Sequence, residues 1–133
     1  MGAWSGLTRD EIAVQYADEF IAWQQGSNDV RPGGGENAAE VIGRVRSFVE
    51  SVREEYSAGP IVAVTHSGWI RSAITWAFGE QMARSSLGIP AQGSLTVFLL
   101  KDNGSIVLEA FNDRGHLLDV EPIDREPPAA PVY

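Results

Sequence analysis

The chain has 133 residues, 44% of them hydrophobic and 21% charged. These proportions belong to an ordinary globular domain, exclude a disordered or fibrous chain, and leave room for one core. Eighteen acidic against ten basic residues give a formal charge of −8, which repels nucleic acid and anionic membrane and excludes both as non-specific partners. The absence of cysteine excludes a disulfide framework, a thiolate zinc site and a cysteine nucleophile. No basic leader followed by an apolar core opens the chain, and no stretch approaches the roughly 20 apolar residues that span a bilayer. A cytoplasmic location is expected.

Thr8 followed by Glu11 has capping-box spacing, and Ile12, Tyr16, Phe20 and Trp23 recur at helical intervals, predicting one amphipathic helix from about Thr8 to Gln25. Gly26 to Gly35 is rich in Gly, Asn and Asp and reads as a surface loop. A second helix is expected from Asn37, with Glu40 three residues on, to about Tyr56; Val41, Val45, Phe48, Val49 and Val52 mark its apolar stripe. The β-branched run Ile61 to Thr65 has the pattern of a parallel strand covered on both faces. Trp69, Ile70, Ala73, Ile74 and Ala77 then continue as a helix that stops at Gly79. Two further β-rich runs, Ser94 to Leu100 and Ser105 to Phe111, flank Lys101-Asp102-Asn103-Gly104 and predict an antiparallel hairpin. After residue 120 the prolines at 122, 127, 128 and 131 predict an extended tail over 121–133.

His66 therefore falls at the carboxyl end of a strand and the start of a helix, where open α/β sheets place ligands. Helix N–H groups, the positive end of the dipole and an imidazolium would together hold a phosphate there. The alternative is a histidine that only turns the chain from strand to helix. Arg71, one turn on, is expected to pair with a carboxylate. Glu36, beside the glycines, reads either as an acid catalyst or as a residue that fixes the loop. Trp23, Trp69 and Trp76 are assigned to core packing.

Three segments, in order, carry a family resemblance: Gly2-Ala3-Trp4-Ser5-Gly6-Leu7-Thr8, Pro32-Gly33-Gly34-Gly35-Glu36, and Val62-Ala63-Val64-Thr65-His66-Ser67-Gly68 followed by Ile70-Arg71. Asn112-Asp113 with His116-Leu117 is a weaker fourth. Together they resemble roughly the C-terminal two-thirds of a histidine phosphatase (phosphoglycerate mutase-like) domain. The resemblance implies an α/β fold: a mostly parallel sheet with helices on both faces, three layers in all, and an antiparallel C-terminal hairpin. It implies an activity on phosphate monoesters through a phosphohistidine, with no metal and no cofactor. In the family a histidine of an arginine-histidine-glycine motif attacks the phosphoryl group, two arginines and a second histidine clamp its oxygens, and an acid protonates the leaving group.

The second histidine is matched here by His66, as catalytic and phosphate-binding residue, with the Ser67 N–H as neighbouring donor, although many members have glycine where Ser67 stands. Trp4 matches an aromatic position that borders the active-site mouth, and His116 matches a structural histidine. The nucleophile, the clamp arginines and the acid lie, in the family pattern, upstream of the Gly2 to Leu7 match. Residues 1–120 are therefore expected to form a truncated domain that lacks the central first strand and is inactive alone. A phosphorylated small molecule or phosphate is the expected ligand. A second copy of the chain or a complementing N-terminal segment is the expected partner, because Ile61–Thr65 would otherwise present an unpaired edge. A non-catalytic phosphate-binding or interaction module is the alternative.

Overall fold

The first helix starts where the spacing places it. In the computed structural model, which describes residues 2–85 and 87–119, the Glu11 N–H donates to Thr8 Oγ1 (3.3 Å) and the Thr8 N–H donates to Glu11 Oε2 (2.8 Å). This reciprocal capping box satisfies donors that the first turn would otherwise leave orphaned. The expected single helix is instead two, α1 (Arg9–Gln15) and α2 (Ala17–Gln24), because Tyr16 leaves helical geometry at φ −131°, ψ 41°. Its N–H still donates to Ile12 O and its carbonyl still accepts from Phe20, both at 2.8 Å. The axis bends with those two backbone bonds intact.

Packing gives the bend its reason. Trp4 is only 1% exposed, and its ring lies 6.3 Å from Tyr16, 6.0 Å from Phe20 and 5.9 Å from Trp23, edge or tilted contacts of the favoured kind. A bend at Tyr16 lets side chains from both helices surround one indole. Ile12 completes the buried centre, with Leu7 and Ala13 against it. Trp4 therefore forms the core of this part of the chain and does not border a mouth.

The chain divides into two compact units, one running to Glu55 and the other starting at Tyr56. The first also contains the glycine loop. Gly2, at φ +51°, lies so close to it that a Cβ would sit 2.0 Å from Gly33 O; glycine is the residue that this approach admits. Helix α3 (Ala38–Glu55) begins with a second reciprocal box: the Glu40 N–H donates to Asn37 Oδ1 (3.0 Å) and the Asn37 N–H to Glu40 Oε2 (3.1 Å). Of its apolar stripe only Val45 is fully buried, and Phe48 is 39% exposed.

In the second unit, helix α4 (Ser67–Phe78) ends as expected at Gly79, whose φ of 88° suits glycine. A short helix α5 (Glu80–Ser85) follows, which the sequence pattern did not announce. The hairpin forms, with β1 (Leu95–Leu100) antiparallel to β2 (Ile106–Asp113) and Leu100 opposite Ile106. Its loop closes through the Lys101 N–H to Ser105 O (2.9 Å) and the Gly104 N–H to Lys101 O (3.0 Å), with Gly104 at φ 85°, the pattern of a three-residue loop ending in a left-handed glycine. Two register shifts interrupt the ladder near Val97, and Asn112 takes a positive φ of 56°. Asparagine is one of the few residues that tolerate this region, and its Oδ1 accepts from the Ala91 N–H at 2.7 Å, a bond across 21 residues that holds the side chain in place.

The architecture is α/β, with five helices and one two-stranded antiparallel sheet among the described residues. Ile61–Thr65 does not form the expected strand. The segment carries no regular structure, with Val62 86% and Val64 98% exposed. A strand exists only as one side of a ladder, and no described segment offers it backbone partners. The predicted tail at 121–133 lies outside the described residues.

Candidate functional site

His66 occupies the N-cap position of α4, in extended geometry at φ −111°, ψ 159°. Its carbonyl accepts the first intrahelical bond, from the Ile70 N–H at 3.1 Å, while its imidazole does not cap the helix. Ser67 is the first helical residue and Gly68 the second. No acidic side chain occupies the first turn, so the helix itself supplies no carboxylate to offset the positive end of its dipole. His66 and Gly68 are exposed and Ser67 is half-buried. Around Gly68 a Cβ would meet no atom within 4 Å, so the helix start is open to a ligand. The Ser72 hydroxyl donates back to Gly68 O at 3.0 Å.

The structure thus places both predicted site residues, His66 and Ser67, side by side at one exposed helix start. Arg71 lies on the same helix, and the ion pair expected for it is not formed with any described carboxylate. His116 belongs to the same unit and is exposed in the 3-10 turn Gly115–Leu117 that follows β2. Asp113 leads into that turn by accepting the Gly115 N–H on its own carboxylate at 2.8 Å.

Glu36 belongs to the other unit, and its surroundings decide between its two readings. Arg44 donates to both of its oxygens, Nε to Oε1 at 2.7 Å and Nη2 to Oε2 at 2.9 Å. The Arg44 hydrogen bonds hold the Glu36 carboxyl below the usual carboxylate range. An acid catalyst needs a carboxyl that keeps its proton near neutral pH, which is the opposite shift. Glu36 is therefore a loop anchor.

Arg31, Glu40 and Glu19 share this task, and of them sequence reasoning singled out only Glu40, as a capping partner of Asn37. Arg31 grips Glu40 with two bonds, 2.8 and 2.6 Å, and its Nη1 also donates to Gly35 O at 3.3 Å. The Glu19 carboxylate accepts the Gly33 N–H. The Glu40 carboxyl is lowered first by the Arg31 side chain and then by the Asn37 N–H. The bidentate pairs fix the glycine loop to the start of α3 from both ends, with geometric specificity that single contacts would lack. The signal that could have found them was the placement of Arg31 and Glu36 at the two rims of the glycine run, facing Glu40 and Arg44 one turn apart on the next helix. Among the described residues no group of three or more His, Asp or Glu is placed to hold a metal ion, and no helix is long and apolar enough to cross a membrane.

Residues 1–114 match the family model of the histidine phosphatase superfamily (branch 1). The chain is 28% identical over 109 residues to phosphoserine phosphatase 1 of Hydrogenobacter thermophilus, a match covering 81% of this chain and 51% of that protein. It is 29% identical over 118 residues to phosphoglycerate mutase-like protein 4 of Arabidopsis thaliana, covering 88% of this chain and 50% of that one. The chain spans about half the length of the curated relatives it matches.

Proposed function

The chain belongs to the histidine phosphatase superfamily, and on that premise we propose that it forms part of a domain acting on phosphate monoesters through a phosphohistidine, with His66 contacting the phosphoryl group and the Ser67 N–H donating beside it. The observation that carries this reading is the open, uncapped start of α4 directly behind His66, where helix N–H groups and the dipole favour an anion. His66 and His116 are the only histidines in the 133 residues, and neither stands in an arginine-histidine-glycine sequence. The nucleophile is therefore supplied by a segment outside these residues, on the same polypeptide or another, together with the clamp arginines and the proton-donating acid. In the assembled site the nucleophilic imidazole attacks phosphorus, the ester oxygen leaves with the acid's proton, and water releases phosphate from the phosphohistidine. The cationic clamp, His66 included, stabilises charge on the transferring group.

The same reading gives the domain a mostly parallel sheet with helices on both faces, in which Ile61–Thr65 becomes a strand once a neighbour pairs with it. A complementing N-terminal segment or a second copy of the chain fills that role, and the exposure of Val62 and Val64 supports the need for one. The phosphorylated small molecule is bound in the cytoplasm without metal or cofactor. A second reading, a phosphate-binding or interaction module without turnover, rests on the same exposed run.

The test uses p-nitrophenyl phosphate and inorganic phosphate on the 133-residue chain. Expected are no turnover and phosphate-dependent NMR shifts at the Ser67 and Gly68 amides that vanish in His66→Ala. Turnover by the chain alone would overturn the assignment of the nucleophile to another segment, and absence of shifts at α4 would overturn the site. Light scattering across micromolar concentrations reads the second copy directly.

A further inference from the structure

We propose that Asn103 is a self-modifying site, converted to aspartate and isoaspartate through a cyclic imide formed with the Gly104 nitrogen. The loop from Lys101 to Ser105 is exposed throughout, and Gly104 has no Cβ to hinder approach to its nitrogen. The electrophile is already polarised. Asn103 Oδ1 accepts two hydrogen bonds from Ser105, one from its N–H at 3.0 Å and one from its hydroxyl at 2.7 Å. In the attack the Gly104 nitrogen bonds to Asn103 Cγ and loses its proton to solvent, and negative charge builds on Oδ1, where both donors sit. The Cγ–Nδ2 bond then breaks and ammonia leaves with a proton from water. A second water opens the imide at one carbonyl or the other, giving aspartate or isoaspartate.

The bond from the Gly104 N–H to Lys101 O must open first, and an exposed loop tip opens readily. The product matters for the hairpin. Either form adds one negative charge to a chain already at −8. Isoaspartate also routes the main chain through an extra methylene inside the loop whose closure, the Lys101 N–H to Ser105 O at 2.9 Å, sets the register of β1 on β2. The site acts as a slow, one-way device that loosens the hairpin with age.

The intact chain is incubated in warm, mildly alkaline buffer and cut with a lysine-specific protease. Lys101 is the only lysine, so one fragment begins at Asp102 and the three forms of its second residue separate by chromatography and mass. Conversion at Asn103 is expected to outpace that at Asn28, Asn37 and Asn112. Ser105→Ala is expected to slow it about fivefold, the factor one ordinary hydrogen bond is worth, and Ser105→Thr to restore it. An unchanged rate in Ser105→Ala, or an Asn103 that converts no faster than Asn112, overturns the proposal.

Discussion

Trp4 is the most informative residue to replace, because two opposing terms meet on one side chain. It is the largest fully buried residue, and its Nε1–H has no hydrogen-bond partner among the described residues. Truncation to alanine removes the indole from contact with Tyr16, Phe20 and Trp23 and should cost about 3–5 kcal/mol. Trp4→Phe keeps an aromatic ring and deletes the orphaned donor. The smaller ring forfeits about one to two methylene equivalents at ~0.8 kcal/mol each, while losing an unsatisfied buried N–H returns about 1–3 kcal/mol. The terms nearly cancel, so Trp4→Phe should lie within about 1 kcal/mol of the parent. Amide exchange at Phe20 and Gln25, whose N–H groups bond to Tyr16 O and Ile21 O, reads this unit alone. Exchange should be near the parental rate in Trp4→Phe and about a thousandfold faster in Trp4→Ala, up to full opening of the unit. If Trp4→Phe speeds exchange as far as Trp4→Ala, the indole N–H is contributing a bond in solution and the cancellation argument fails.

Other elements predict as directly. Thr8→Ala should cost the α1 terminus about 1 kcal/mol, seen as faster exchange at Glu11 and Ile12, with Thr8→Ser close to the parent. Glu11 is held below its ordinary range first by the Thr8 N–H and then by the Thr8 hydroxyl. A depressed folded value means that this contribution is complete above the ordinary carboxylate range and is lost as pH falls through the folded value. A side-chain carboxyl NMR titration should show Glu11 titrating low in the parent and only part of the way back toward its ordinary position in Thr8→Ala, because the backbone N–H at residue 8 still donates to it. Glu36 and Glu40 follow the same sign, so the glycine loop should stay clamped at neutral pH and loosen only under acid; Arg44→Gln should move Glu36 alone back to its ordinary range. Gly79→Ala forces a side chain into φ 88° and should cost about 1–3 kcal/mol in thermal unfolding.

What could be read from the sequence divides by range. Both capping boxes, the stop at Gly79 and the Lys101–Gly104 loop rest on residues within four positions of one another, and each forms as its spacing predicts. The bend at Tyr16 was not legible, because the helical period continues through it and only the indole of Trp4 asks for it. The anchors of the glycine loop were hidden for a related reason. Glu40 and Arg44 are spaced to pair along their own helix, yet each turns to a partner eight or nine residues back, Arg31 for Glu40 and Glu36 for Arg44. A bidentate guanidinium fork outweighs the weak intrahelical pair. At the candidate site, the position of His66 at the helix start was legible from the helical spacing of Trp69, Ile70, Ala73, Ile74 and Ala77, although the strand expected before it does not form, whereas the openness around Gly68 needed the structure.

The Ile61–Thr65 run is where local and non-local forces part, and it links fold to proposed function. Its composition asks for a strand covered on both faces, but a strand cannot cap itself as a helix can: every N–H and C=O needs a neighbour across the ladder. Left unpaired, the run holds Ile61, Val62 and Val64 in solvent at 44%, 86% and 98% exposure. Fully burying such side chains is worth about 1.5–3 kcal/mol each, a sum comparable with the roughly 5–15 kcal/mol that stabilises a whole domain. His66 follows this run directly, so whatever pairs with the strand also fixes where the imidazole and the α4 start point. On the proposed function, strand pairing and phosphate binding are then one equilibrium. Inorganic phosphate should bind more tightly when the run is paired, and an added strand should bind more tightly in phosphate, by the same factor.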